Sequence, residues 1–238
     1  MRLDITFIID RSLSTSNMTQ EIEKGFTDYI QDRIADQNEG DETYFTLIRF
    51  DHEYEVMYEG LDASLVRPYQ HEPRGNTALL DSVNRGLQQA DQRFAKLSDS
   101  EKPDKVLFVI VTDGQENCSQ ETSRERLAEL IQERTEKRNW QFVYLGANQD
   151  AFAAAGGMGI VRGGAINYTA SPQGAQVAWQ NLSSNTTKYS SLNEVKACSY
   201  NFFDGAEHVD DVVSEDSTGG SSITFTSNTT GDSNDAVS

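Results

Sequence analysis

Basic residues are scarce in this chain beside acidic ones. Against 38 Asp and Glu stand 20 Lys and Arg, a formal net charge of −18 over 238 residues. Such a field disfavours nucleic acid phosphate and anionic lipid, and makes cations the expected counterparts. No run approaches the roughly 20 apolar residues of a membrane helix. Cysteine is almost absent: Cys118 and Cys198 alone exclude a disulfide scaffold or a zinc ribbon, fit a reducing compartment, and leave at most one bridge. The opening stretch Met1–Asp10 is too short, too β-branched and too soon followed by charge for a secretory signal, so a cytoplasmic location is expected. His52, His71 and His208 are scattered without metal-ligand spacing. A Gly-x4-Gly-Lys-Ser/Thr phosphate loop and a Gly-x-Ser-x-Gly elbow are both missing. The glycines at 156, 157, 159, 163 and 164 follow a short helix and do not open one after a strand, which argues against a dinucleotide fingerprint.

What is present alternates between short β-branched runs and longer helical stretches, the order of an α/β sheet. Leu3–Ile9 reads as the first strand. Asn17–Ile34 reads as an amphipathic helix, with Ile22, Phe26, Tyr29, Ile30 and Arg33 on one face. Thr43–Phe50 and Glu53–Tyr58, separated by little more than Asp51-His52, predict a hairpin and so one antiparallel edge. A helix is expected over Thr77–Leu97, with Val83, Leu87, Ala90 and Phe94 inward. Val106–Thr112 is the most continuously apolar run and the best candidate for a central strand buried on both faces. Further elements follow: a helix from about Thr122 to Lys137, a strand over Trp140–Leu145, a short helix over Ala151–Ala155, a glycine-broken edge strand within Ile160–Tyr168, and a last helix capped by Ser171, begun by Pro172 and ending near Asn185.

From Asp204 onward the chain carries eight acids, no Lys or Arg, and a Ser/Thr/Gly/Asn-rich background. That is a disorder composition, with one alternating segment, Ser221–Thr226, able to form a short edge strand. The division expected is a folded domain over 1–190 and an acidic C-terminal extension over 191–238.

The chemistry gathers at strand ends. Asp10-Arg11-Ser12-Leu13-Ser14 places a carboxylate and two hydroxyls at every second residue where the first strand becomes a loop, and an extended turn points all three one way. The central strand ends in Thr112-Asp113-Gly114, and Gly75-Asn76-Thr77 delivers a third hydroxyl at a helix start. In open α/β sheets ligands collect at the carboxyl ends of the strands. Asp10, Ser12, Ser14, Thr77 and Asp113 supply only oxygen, the shell of a hard dication. Two carboxylates match its charge and leave a coordination position for an outside oxygen. Mg²⁺ is the expected ion, with Mn²⁺ or Ca²⁺ as alternatives.

Asp-x-Ser-x-Ser, the Thr of Gly-Asn-Thr-Ala-Leu and Val-Thr-Asp-Gly, in that order and each after the right kind of element, resemble the von Willebrand factor type A domain with its metal-ion-dependent adhesion site. The resemblance covers roughly residues 1 to 190. Leu145–Ala151 and Ala165–Tyr168 look like segments of standalone intracellular members from bacteria and their phages. It implies a Rossmann-like, doubly wound sheet of about six mostly parallel strands, helices on both faces and the ion at the top. It also implies that the serines and the threonine bind the ion directly while the aspartates act largely through water. Arg11 and Leu13 stand where small residues are usual in the family, which places a cation at the rim and restricts the loop backbone.

The expected function is a non-enzymatic interaction module that captures an Asp or Glu carboxylate of a protein partner through the ion, with neither nucleic acid nor membrane as partner; the oligomeric state is not legible. Two alternatives have sequence support. A metal-assisted hydrolase would need a base, for which only Asp81 and Glu116 are candidates. An assembly component would use the ion only to stabilise its fold. Asp81 reads equally as a hydrogen-bond partner that supports the ligands of the site from behind or as an acid placed by the helix dipole. Gln115–Cys118 reads as part of a partner surface, and Cys118 as an idle thiol, since no cation flanks it. The acidic tail reads as a spacer, a competitor for cations or a pseudo-ligand of the site.

Overall fold

The computed structural model describes residues 1–147, 150–193 and 200–203, and the backbone of His208–Val209. The chain runs β1 (Arg2–Asp10), α1 (Thr19–Ala35), β2 (Glu42–Phe50), β3 (Tyr54–Asp62), α2 (Leu79–Phe94), β4 (Lys105–Thr112), α3 (Arg124–Arg138), β5 (Gln141–Ala147), α4 (Ala151–Gly157), β6 (Ala165–Tyr168), α5 (Pro172–Ser191) and β7 (His208–Val209). The strands form one sheet in the order β3-β2-β1-β4-β5-β6-β7. Every neighbour pair is parallel except β2–β3, the expected hairpin edge. Parallel register sets Asp10 beside Phe50 on one flank, and Ile9 beside Val111 on the other. The ends of β1 and β4 therefore lie together at the top of the sheet.

Side chains alternate across the sheet with the period of two that a strand imposes. Leu3, Ile5, Phe7 and Ile9 of β1, with Leu107, Val109 and Val111 of β4, pack against α1 and α5. Ile8, Val106, Phe108 and Ile110 face the other way, onto α2 and α3. Phe7 is the hub of the first layer, meeting Phe26 and Tyr29 edge-on at 5.1 Å and stacking with Trp179 at 5.9 Å. Burial on both faces is what parallel strands require.

Several boundaries differ from expectation, each for a local reason. Leu13–Met18 winds as a 3₁₀ turn, so α1 starts at Thr19. Helix α2 begins at Leu79 because Ala78 holds a non-helical ψ of 61°. Gly159, at φ +83°, turns the chain after α4 and confines β6 to four residues. Helix α5 runs six residues past Asn185, because Lys105 donates from its ammonium to the carbonyls of Tyr189 (2.7 Å), Ser190 (2.8 Å) and Leu192 (2.5 Å) and so caps its end. Strand β6 is not the sheet edge: β7 pairs outside it. Tyr200 stacks on Tyr189 at 6.0 Å, and Phe202 and Phe203 are buried in the first layer, so apolar packing continues beyond residue 190. Ser221–Thr226, the rest of the acidic tail, Cys198 and Asn148-Gln149 lie outside the described residues. Among the described residues, no helix is long and apolar enough to cross a membrane.

Gly25 of α1 shows how closely the first layer is packed: a Cβ there would lie 2.3 Å from Trp179 Cδ1. Alanine improves helix propensity by roughly 0.5–1 kcal/mol, but forcing a methyl into a filled layer costs about 1–3 kcal/mol. Gly25→Ala is expected to lower unfolding free energy by about 1–2 kcal/mol in a denaturant titration.

Candidate metal centre

Asp10 is the last residue of β1 and is fully buried. Its Oδ1 accepts the Ser12 backbone N–H at 2.7 Å, and its Oδ2 accepts the Thr112 hydroxyl of β4 at 2.6 Å. The Ser12 and Ser14 hydroxyls are 3.0 Å apart, and Ser14 donates to Asp113 Oδ1 at 2.8 Å. Ser14 has one proton and spends it on Asp113, so Ser12 is the donor to Ser14. Hydrogen bonds thus link both carboxylates and both serines across the β1–β4 seam.

Thr77 enters from a turn that the backbone fixes at both ends. Arg74 N–H donates to the Arg11 carbonyl (2.7 Å), and Ala78 N–H to that of Asp51 (2.9 Å). Gly75 between them sits at φ +69°, a conformation glycine adopts without the usual Cβ penalty. Thr77 N–H donates to Asn117 Oδ1 at 3.0 Å, and its carbonyl accepts the backbone N–H of Asn117 and Cys118. Convergence is read most directly at Gly114. A Cβ there would lie 3.1 Å from Thr77 Oγ1, 3.3 Å from Ser14 Oγ and 3.4 Å from Asp10 Oδ2. Three oxygens from two distant segments, the loop after β1 and the threonine turn, therefore surround one small space at Gly114 of a third, beside the Ser12 and Asp113 bonds. Divalent cations bind oxygen at about 2.0–2.6 Å, so closing on an ion requires only a small inward movement of these side chains.

The electrostatics favour a cation. Burial pushes the Asp10 carboxyl up to about 6, against the opposing pull of its Thr112 and Ser12 bonds, and the Asp113 charge adds to the rise. Burial also raises Asp113, with the Ser14 bond opposing. A rise of about two units opposes ionisation by roughly 3 kcal/mol, a cost that a bound dication offsets. Among the described residues there is no group of three or more His, Cys, Asp and Glu suited to a metal; this site is built from two carboxylates and three hydroxyls.

The neighbours differ from expectation. Arg11 is not at the rim: at 2% exposure it turns inward, its Nε 3.0 Å from the buried Asp51 and its Nη1 3.0 Å from Glu55. Asp51 also pairs with Arg74 at 2.8 Å, so Arg11 ties the serine loop to the threonine turn. Leu13 projects outward, 64% exposed. Asp81 stands in the first turn of α2, where the helix dipole favours an acid, and it has a further role. Its carboxylate accepts the backbone N–H groups of Gln120 (2.7 Å), Glu121 (3.1 Å) and Thr122 (2.7 Å) and so holds the loop before α3. Glu116 likewise accepts from the backbone N–H of Leu80, Cys118 and Ser119 and from the Ser119 hydroxyl. Asn117 and Glu116 thus act as clamps on the turn and the loop around them. Burial and the charge of Glu116 raise the Cys118 thiol, which keeps it protonated.

Sequence reading missed a buried relay behind the serine loop. Thr15 donates to the Ser12 carbonyl at 2.8 Å and lies 2.7 Å from His71 Nε2, while Tyr69 lies 3.0 Å from His71 Nδ1. With the Thr15 proton committed, Nε2 must be the donor to Thr15, and Tyr69 donates to Nδ1. Burial, then the charges of Arg49 and Arg11, lower His71 to about 4, so the ring is neutral. No spacing signal marks this relay, since its members join a loop to a segment more than fifty residues away.

Comparison with known proteins agrees with the fold. No family model matches the sequence, and no curated protein does. Among solved structures, proximal thread matrix protein 1 from the mussel byssus, solved with a zinc-occupied MIDAS motif, superimposes with a TM-score of 0.55 at 20% identity, over 78% of this chain and 46% of that one. A von Willebrand factor type A protein from Catenulispora acidiphila gives 0.54 at 16%, over 77% and 42%. The vWF domain of the type V pili tip protein Mfa5 from Porphyromonas gingivalis gives 0.53 at 12%, over 78% and 95%. The chain thus spans less than half the length of the first two. Its fold is the von Willebrand factor type A fold: a mostly parallel, Rossmann-like sheet with one antiparallel edge pair and flanking helices.

The folded Asp10 pKa lies above its unfolded value. Its contribution to metal-free stability is therefore present below about pH 4 and lost as pH rises through about 6. Thermal stabilisation by Mg²⁺ is expected to be small at pH 5 and to grow towards pH 7.5, and in Gly114→Ala, whose methyl fills the cradle, it is expected to vanish at both. Melting curves with and without Mg²⁺ check both outcomes.

Proposed function

We propose that this protein is a divalent-cation-dependent interaction module. Ser12, Ser14 and Thr77 would hold the ion through their hydroxyls, with Asp10 and Asp113 balancing its charge directly or through water. When bound, Mg²⁺, or Mn²⁺ in its place, supplies a Lewis-acidic position at which the Asp or Glu carboxylate of a protein partner can complete the shell. The observation that carries this reading is the meeting of the Asp10, Ser14 and Thr77 oxygens around the space beside Gly114. The zinc-occupied motif of the mussel protein supports the choice of a divalent metal.

The chain's own residues set the conditions for capture. Buried Asp10 fixes the floor, the Ser12–Ser14–Asp113 bonds orient the hydroxyls, and the Arg11–Asp51–Arg74 group holds the two ligand loops against each other. Exposed Leu13 gives the rim an apolar contact that helps to exclude water, and a drier interface strengthens the bridge. A binding role is favoured over hydrolysis because both candidate bases already serve as backbone clamps, Asp81 towards three N–H groups and Glu116 towards four donors. We place the protein in the cytoplasm, as a standalone module of bacterial or phage type.

The test is a displayed peptide library selected on the Mg²⁺-loaded protein. Binders are expected to share an obligatory Asp or Glu and to be lost both in EDTA and on Asp113→Ala, with Mg²⁺ affinity of the variant reduced at least about tenfold in titration calorimetry. Binders that lack an acid, or that survive both treatments, would refute metal-mediated capture.

A further inference from the structure

Beside Gly114 opens a cavity of about 280 Å³, lined by Leu79, Gln115, Glu116, Arg124, Tyr144 and Ala153 among others. It adjoins the metal cradle, since Gly114 borders both. The cavity separates the loop after β4 from α4, with the first residue of α3 at its side.

That residue, Arg124, is unusual among the arginines here. Arg126 pairs with Glu129 at 2.9 Å and Arg85 with Glu121 at 2.7 Å, while Arg11, Arg74 and Arg93 are each held by carboxylates. Arg124 is exposed and has no hydrogen-bond or ion-pair partner among the described residues; its Nη1 lies 3.0 Å from where a Cβ on Gly157 would stand, so the side chain reaches across to the end of α4. A cation in the first turn of a helix is also set against the helix dipole, so helix stability does not account for the residue. The two acids at the cavity are already engaged: Glu116 accepts four hydrogen bonds, and Asp150 caps α4 by accepting Ala153 N–H at 3.0 Å. Among the described residues, the guanidinium is the cavity's one charged group with its full donor set uncommitted.

We infer that Arg124 and this cavity form a second acidic subsite next to the metal, so that the favoured partner presents two carboxylates close in sequence, one for the ion and one for the guanidinium. This rests on the carboxylate-capture reading above. On a chain of net charge −18, a second acid is repelled by the general field, and gains affinity only where a local cation meets it. A guanidinium receives a carboxylate in a two-pronged, charge-assisted contact, stronger than a neutral hydrogen bond.

The experiment is fluorescence anisotropy with labelled, end-capped peptides and the Mg²⁺-loaded full chain. One peptide carries a single Glu; the others carry a second Glu one, two or three positions further on. In the wild type the best two-acid peptide is expected to bind roughly tenfold tighter than the single-acid one. In Arg124→Gln that advantage disappears, while the single-acid affinity and the Mg²⁺ affinity stay within about twofold, which also reports that the variant is folded. Equal binding of all peptides to the wild type, or an advantage that survives Arg124→Gln, would overturn the subsite while leaving metal-mediated capture standing. Absence of Mg²⁺-dependent binding for every peptide would overturn capture itself and the subsite with it.

Discussion

Two carboxylates held close together at the ends of neighbouring parallel strands, one of them fully buried, are the constraint on which the rest of this site depends. Asp10 is raised to about 6 by burial, and Asp113 adds its own charge to that cost. No basic side chain is paired with either among the described residues; the bonds they receive come from hydroxyls and one backbone amide. Elsewhere Arg93 neutralises buried Asp4 with two bonds of 2.7 Å and Arg11 neutralises Asp51, while Asp81 is satisfied by three backbone N–H groups. Among the described residues, the contrast singles out the coupled Asp10–Asp113 pair as the place where the proposed cation would complete the neutralisation.

Precision at that place is supplied from behind. The serine loop is tied by the Arg11 carbonyl to Arg74, by Leu13 N–H to the Gly75 carbonyl, and by the Tyr69–His71–Thr15 relay to the segment before the threonine turn. The threonine turn is tied in its own right to Asn117. Each clamp uses groups that a surface loop would otherwise expose to water, so the hydroxyls are oriented before any ion arrives. Preorganisation of this kind would let the proposed site, with neutral ligands and only two charges, bind a strongly hydrated ion.

Much of this was legible in the sequence because it depends on local pattern. Val106–Thr112 read as a doubly buried strand, Asp51-His52 as a hairpin turn, and the ligand triplets as strand-end loops. Their meeting follows from the parallel sheet, which brings every carboxyl end to one edge. What was not legible depends on long-range pairing. Whether Arg11 points outward or inward is decided by Asp51 and Glu55, forty and more residues away, and whether Asp81 serves the ion or the backbone is decided by the loop at 120–122. The extension of α5 rests on Lys105, and the packing of Phe202 and Phe203 on Tyr189 and its neighbours. Neither leaves a periodic trace.

Anomalous scattering from crystals grown with Mn²⁺ tests the central claim most directly. The account predicts a single strong peak per chain beside Gly114, within about 2.0–2.6 Å of oxygens from the Ser12–Ser14 loop and the Thr77 turn. A peak only at other surface acids, or none beside Gly114 at millimolar Mn²⁺, would contradict it.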